Sequence, residues 1–374
     1  ASPSRILTTL RAVAPTVNAV LLSSSACRHL GALAAVAPSL PPATKVYATL
    51  PTWRLGQMTL YDVHDGLVRR TPPPHAYDLD GVDGTFESRF VTLKYQQAVR
   101  LAEGVTVTPY AAGRVLGGTV WSVRVDSEEV VYAPVFNHRR ERLLNPSALG
   151  TLSRPSTLIV GAGSQPATPS AAAVAAAAAA GCRPPAPPYV PPPVSSAGVV
   201  ELAVATLRRG GDVLLPTDTA GRVLELAAAL DDAWASSGGA LSAFPVAILH
   251  CVAYNTVELA KSMIEWAADA VVDRFDNARQ NVFAFAHVTA VHDRRDVDAL
   301  RSPKVILATS DSLQSGHARA LLLELAGSER NAVILTSPPV AGSIAASLVA
   351  EAVATRGAPA LSTAAAGGGG GGGG

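Results

Sequence analysis

The chain has 374 residues, 48% hydrophobic, 5% aromatic and 16% charged, with 30 Lys and Arg against 29 Asp and Glu for a formal net charge of +1. That length suffices for one large domain or two medium ones with real cores, although alanine inflates the hydrophobic share. The near-neutral balance excludes a global electrostatic pull toward nucleic acid or an anionic membrane, so any RNA contact must be local. Cys27, Cys182 and Cys251 show no CxxC or paired spacing; without a signal peptide ahead of them, they are expected of a reducing compartment, cytosol or nucleus. No apolar run approaches the ~20 residues of a membrane span, the alanine tract at 171–180 being too short and too weakly hydrophobic, so no membrane partner is expected. The chain opens Ala-Ser-Pro-Ser without a methionine and closes on eight glycines, as expected of a piece of a longer protein.

In chain order, an apolar strand at 19–22 runs into the polar loop SSSAC and then into His-x-Gly-Ala-Leu, which opens a helix. A short strand at 46–49 is closed by Pro51, and His64 and His75 read as loop residues. Residues 85–102 fit strand or helix. Period-2 alternation predicts strands at 105–109, 118–125 and 129–135, the last two a hairpin across 126–128. Residues 164–198 are low in complexity, an alanine run followed by RPPAPPYVPPPVSS. Proline at that density continues neither a helix nor a sheet interior, leaving a polyproline-like loop that is either an insertion or a ligand for a proline-binding domain. A second block then alternates: helix 199–209, strand 213–215, helix 223–234, strand 246–249, helix 256–273, strand 304–308, helix 316–325 and strand 332–336. Helices between apolar strands imply right-handed crossovers and a mainly parallel sheet. The tail at 357–374 is unstructured by composition.

Few residues suggest chemistry on their own. His64, His75 and His138 are scattered, with no H-x-H or H-x3-H pair that would suit a metal. His292 and Asp293 precede Arg294 and Arg295 in what reads as a solvated turn. Arg28 beside Cys27 would favour a thiolate, but no partner histidine or oxyanion donor accompanies it. The strand-to-helix turn TDTAGR (217–222) admits two readings: backbone N–H groups presented to a phosphate, or a plain cap made by Asp218 or Thr219 with Gly221 permitting the turn.

VYATLPTWRLGQMTLYD (46–62), YDLDGVDGTFES (77–88), AGRVLGGTVW (112–121), VVYAPVFNHRRERLLN (130–145), LSRPSTLIV (152–160), TDTAGRVLELAAALDDAW (217–234) and AYNTVELAKSMIEW (253–266) occur in that order. With them the chain, over roughly residues 5–350, resembles subunit 2 of the cleavage and polyadenylation specificity factors, the metallo-β-lactamase/β-CASP proteins of pre-mRNA 3′-end processing. The resemblance implies an α/β fold in two parts. A metallo-β-lactamase αββα sandwich would occupy residues 1–160, lacking its first strands. After a low-complexity insertion at 161–198, an inserted β-CASP α/β domain would span 199–350, and residues 351–374 would be a disordered Ala/Gly-rich tail.

In active members of the fold, the strand–loop–helix at 19–33 carries His-x-His-x-Asp-His. The matching positions here are Ser24, Ala26, Arg28 and His29. Where active relatives place a metal-binding histidine stands Arg114; where they place a metal-bridging aspartate stands Val135; where they place an acid stands Gly161. Zinc takes three or four N, S or carboxylate donors, and an arginine in its place repels a dication. Of these positions only His29 retains a donor side chain able to hold zinc. The resemblance therefore implies a pseudo-enzyme with no catalytic residues, no metal and no cofactor, acting in the nucleus. Its partners would be the nuclease subunit of the same complex, a symplekin-like scaffold, other polyadenylation factors and pre-mRNA. Arg28 and Arg114 are the candidate contacts to an acidic side chain or an RNA phosphate. The alternative is a metal-dependent RNA endonuclease whose ligands lie outside this stretch.

Overall fold

The computed structural model describes residues 3–70, 75–161 and 196–356; the alanine run, most of the proline-rich stretch and the glycine tail lie outside them. Helix α1 (Pro3–Val13) precedes strand β1 (Ala19–Leu21), and after the serine loop come two one-turn helices, α2 (Cys27–Leu30) and α3 (Leu33–Val36). Strand β2 (Lys45–Thr49) leads directly into α4 (Leu50–Val68). Thr49 caps α4 by accepting the Thr52 amide, and Pro51 stands in its first turn, where a missing N–H is no loss. The proline read as closing a strand thus also opens a helix, and His64 lies on that helix, not in the loop expected for it.

Residues 85–102 divide among the end of α5 (Leu79–Ser88), β3 (Phe90–Leu93) and β4 (Val99–Ala102). Then come β5 (Val105–Ala111), β6 (Thr119–Val125), β7 (Glu128–Ala133) and β8 (Thr157–Val160). The expected β6–β7 hairpin is present, but β7 stops before Val135. Pro134 follows Ala133 and has no N–H to give the ladder, so Val135 lies in the loop beyond the strand.

Strands β1-β2-β3 form a parallel sheet, and β4-β5-β6-β7-β8 a second sheet, antiparallel except for β7 with β8. The two share a core in which Leu21 and Tyr47 meet Leu93, Val107 and Trp121. Helices α2–α5 cover the opposite face of the first sheet through Leu30, Leu33, Leu60, Val82 and Phe86. This is a helix–sheet–sheet stack, three layers of the expected sandwich.

The second unit comprises α6 (Ser196–Arg208), β9 (Val213–Thr217), α7 (Arg222–Ser236), β10 (Val246–Leu249), α8 (Ala253–Ser262), α9 (Asp269–Ala278), β11 (Val288–Val291), α10 (Arg294–Asp298), β12 (Val305–Thr309), α11 (Gly316–Leu325), β13 (Ala332–Val333) and α12 (Ile344–Arg356). Its sheet runs β11-β10-β12-β9-β13 and is parallel throughout. Alternate strand residues feed two cores. Val213, Leu215, Val246, Ile248, Val305 and Leu307 face one side, while Leu214, Ala247, Leu249, Ile306 and Ala308 face the other, as a sheet buried on both faces requires.

Three further expectations are corrected. The single helix read over 256–273 is broken: α8 ends at Ser262, a 3-10 turn spans Ile264–Trp266, and α9 starts at Asp269. A tertiary contact accounts for the break, since the Ala268 amide donates to the Leu143 carbonyl at 2.8 Å and Trp266 packs edge-on against Tyr95. Strand β13 has two residues instead of five, because its partner β9 carries Pro216, which offers no amide to continue the ladder. Helix α12 continues to Arg356, past residue 350, where a disordered tail was expected to begin.

Leu55 of α4, Leu116 and Leu143 from the first unit belong to the same buried cluster as the core of the second. From β10 the chain turns toward β11, and from β12 toward β13 on the other side, so their carboxyl-end loops diverge and define a crevice of the kind that holds ligands in open parallel sheets. Helix α4 lies against that end of the sheet.

Candidate functional site

The site positions are built from the serine loop upward. Ser23, Ser24 and Ser25 are buried, and the Ser24 hydroxyl accepts the Ala26 amide at 3.1 Å. The Ser23 carbonyl takes the Thr119 amide at 2.8 Å, which ties the loop to β6. Arg28 projects to solvent from α2, and among the described residues it makes no ion pair or hydrogen bond. His29 is half-buried, and among the described residues its buried Nε2 has no hydrogen-bond partner. Burial, then the Arg28 charge, pushes the His29 pKa below its usual 6.5, so the ring is neutral.

Arg114 follows β5 and turns to Glu141, with Nη1 3.6 Å from Oε1. The same carboxylate takes Arg222 Nη1 at 3.3 Å and Asn137 Nδ2 at 2.7 Å. One acid from the 136–145 loop therefore joins a cation of the first unit to a cation of the second. A few residues on, Glu225 of α7, only 5% exposed, accepts the amides of Arg142 and Leu143, each at 3.0 Å. Burial pushes the Glu225 pKa above 4.5 and the two amide bonds oppose it. Arg142 in turn pairs with Asp232 at the surface. The FNHRRE segment, quoted above for its resemblance, is thus the clasp between the two units.

A second group of polar residues gathers at the crevice. Asp62, buried on α4, accepts from the Thr219 hydroxyl at 2.8 Å and from Cys251 Sγ at 3.7 Å. Beside it lie His250, 1% exposed, and His317; among the described residues neither ring nitrogen of His250 nor the buried Nε2 of His317 has a hydrogen-bond partner. Burial holds both imidazoles below their ordinary pKa, against the raising influence of Asp62. Asp311, after β12, has its pKa raised by burial and by Asp218 and lowered by Arg28. Arg28 therefore acts electrostatically on an acid of the second unit.

The two readings of the 217–222 turn are separated by geometry. Asp218 receives the amides of Gly221, Arg222 and Val223 at 3.0–3.1 Å, so a carboxylate already fills the anion position at the start of α7. A Cβ at Gly221 would lie 2.4 Å from Asp218 Oδ2, so glycine is required there by close approach. Thr219 is not the cap; its hydroxyl goes to Asp62.

The fold's metal does not fit this donor set. Ser24 is engaged with backbone, Ala26 and Val135 carry no donor, and Arg28 and Arg114 are cations. Among the described residues no three His, Cys, Asp or Glu side chains are placed to hold a metal ion. Gly161 has no room for an acid on the present backbone, since even a Cβ there would sit 2.0 Å from the Pro134 carbonyl oxygen.

Asp62, Glu141, Glu225, His250 and His317 were not singled out from the sequence. The signal available for Asp62 was its place on the buried face of α4, in helical register with Leu55 and Met58. The glutamates carried no comparable signal, being ordinary acids in a loop and on a helix.

Residues 1–159 match the family model described as the metallo-beta-lactamase superfamily domain, and residues 223–348 match the Beta-Casp domain. The "Probable cleavage and polyadenylation specificity factor subunit 2" of Drosophila melanogaster is 37% identical over 339 residues, covering 89% of this chain and 42% of that protein. The "Cleavage and polyadenylation specificity factor subunit 2" of Oryza sativa subsp. japonica is 36% identical over 340 residues, 90% of this chain and 43% of that one. Its Arabidopsis thaliana namesake is 35% identical over 345 residues, 91% and 43%. The chain spans less than half the length of these curated relatives.

Proposed function

Starting from the fact that the chain belongs to the metallo-β-lactamase superfamily and carries its β-CASP domain, we propose that it is part of a non-catalytic subunit of the pre-mRNA 3′-end cleavage and polyadenylation machinery. The relatives' shared name supports the pathway. The observation that carries the non-catalytic reading is Arg114: a cation stands where the active fold needs a metal-binding histidine, and it is turned to Glu141, which also holds Arg222. A water would have no metal to lower its pKa there. In this reading the subunit works in the nucleus, pairing with the nuclease subunit, a symplekin-like scaffold and other polyadenylation factors, and helps to position pre-mRNA. Residues 1–160 form the lactamase-like half and the second unit is the β-CASP half.

Of the two arginines proposed as phosphate contacts, Arg28 is exposed and makes no ion pair among the described residues, whereas Arg114 is turned to Glu141. Arg28 is therefore the better phosphate contact, and Arg114 acts mainly in holding the two units together. The test is affinity capture of the tagged full-length protein from nuclear extract. Recovery of the nuclease subunit and scaffold is the expected result; full-length protein that cuts RNA unaided, with ligands from outside residues 1–374, would establish the endonuclease alternative instead.

A further inference from the structure

A groove of about 370 Å³ lies between α4 and α8, remote in sequence from the degenerate ligand positions, lined by Arg54, Gln57, Met58, Tyr254, Asn255, Glu258 and Leu259. Its volume falls within the range of roughly 300–1,000 Å³ typical of small-ligand sites. Two features of its wall are unusual for a bare surface. Tyr254 leaves 57% of its surface open to solvent at the start of α8. Across from it Arg54 stacks its guanidinium on Trp53 at 4.0 Å, and Trp53 continues through Phe90 to Phe86 as a stack of parallel-leaning rings. The Trp53 indole N–H is fixed on the Phe86 carbonyl at 3.1 Å.

Arg54 is thus held by its flat face, while among the described residues its N–H donors meet no acceptor and no carboxylate. The acid in the groove, Glu258, already pairs with Lys261 at 2.7 Å. That leaves one pre-oriented cation with free donors in the same groove as an exposed aromatic ring, while the Gln57 amide is already engaged by Tyr61 and Asp83.

An aromatic platform plus a guanidinium is the chemistry that receives a nucleotide of a single strand. The base stacks on the ring, the phosphate takes the bidentate cation, and the fit tolerates any base. A peptide partner is less well matched, because it would leave the free fork of Arg54 donors without the phosphate that fork suits. We propose that this groove binds single-stranded RNA, one base on Tyr254 and a neighbouring phosphate on Arg54. The proposal rests on the pre-mRNA reading above but names a different surface from Arg28 and Arg114.

The test uses the full-length protein and a fluorescent twelve-nucleotide oligouridine, read by anisotropy across a salt series. Tyr254→Ala is expected to weaken binding about tenfold, from the ~1–3 kcal/mol that stacking contributes per base, while Tyr254→Phe keeps near-parental affinity. Arg54→Gln should lower the slope of log affinity against log salt by about 0.7, the value for one phosphate on a single strand. Both side chains are exposed, so folding is expected to survive, and thermal melts of each variant check this. Oligouridine binding that is unaltered in Tyr254→Ala and Arg54→Gln overturns the groove and leaves the functional reading standing. Absence of any RNA binding by full-length protein that still captures the nuclease subunit does the same. Variants that lose a protein partner while keeping RNA affinity would assign the groove to that partner and overturn the proposal.

Discussion

Glu225→Ala probes the clasp between the two units most severely. The carboxylate bridges from α7 to two consecutive amides, those of Arg142 and Leu143, and removing it strands both donors. A buried N–H left without an acceptor costs about 1–3 kcal/mol. Leu143 is buried and bears the penalty, whereas Arg142 is exposed and its amide rehydrates. Against this, the substitution relieves the cost of holding a carboxylate away from water, the cause of the raised Glu225 pKa. The balance is a loss of about 1–2 kcal/mol, less than breaking a buried ion pair costs, because no charge is left unpaired. Asp232→Ala, which removes the exposed partner of Arg142, should cost under about 1 kcal/mol by comparison. Urea denaturation followed by tryptophan fluorescence measures both, with a midpoint shift on the order of 0.5 M for Glu225→Ala. A Glu225→Ala loss no larger than that of Asp232→Ala, at unchanged denaturant slope, would refute the clasp.

Further outcomes follow from the same geometry. Glu225 also fixes a pH dependence: its folded pKa is raised, so its share of stability is complete below pH 4.5 and is lost as pH rises through the folded value. The penalty of Glu225→Gln should accordingly shrink as pH rises above 4.5; growth with pH would contradict the assignment of burial as the leading cause. The histidines have the opposite sense. His250 and His317 are held below 6.5, so stability should be level above that pH and fall beneath it, with His250→Gln flattening part of the slope in melts between pH 7.5 and pH 5.5. An unchanged slope would show that His250 is not shielded as described. A double-mutant cycle of Asp62→Ala and Thr219→Val should give a coupling of about 1 kcal/mol across the units, and a coupling of zero would mean that the hydrogen bond holds nothing. Gly161→Asp, which puts an acid where active members of the fold have one, should lower stability by about 1–3 kcal/mol, because its Cβ collides with Pro134. A variant as stable as the parent would show that the backbone there yields freely.

How much of this was legible in the sequence follows from where each signal resides. Strands β9, β10 and β12 read clearly because both faces are buried and the runs are apolar throughout. Helix α11 reads to its observed ends, and the β6–β7 hairpin to within a residue or two. The cap role of Asp218 was one of two readings the turn allowed, and only its three amide partners chose between them. What escaped was set by contacts between distant segments. Nothing local in 256–273 announces that the Leu143 carbonyl draws Ala268 out of helical geometry. His64 reads as a loop residue, yet it lies on α4, whose start is set by the Thr49 N-cap and Pro51 in the first turn. Glu141 and Glu225 look like solvated acids until the two units are brought together, and their meaning lies in that docking.

The most direct test of the central claim is the zinc content of the full-length purified protein, measured by elemental analysis after exhaustive dialysis. Ser24, Ala26, Arg28, Arg114 and Val135 leave His29 without companion donors, so the account predicts far less than one zinc per chain. One or two zinc ions per chain, lost on substituting His29→Ala, would mean that donors from outside residues 1–374 rebuild a metal site around it, and the non-catalytic reading would fall.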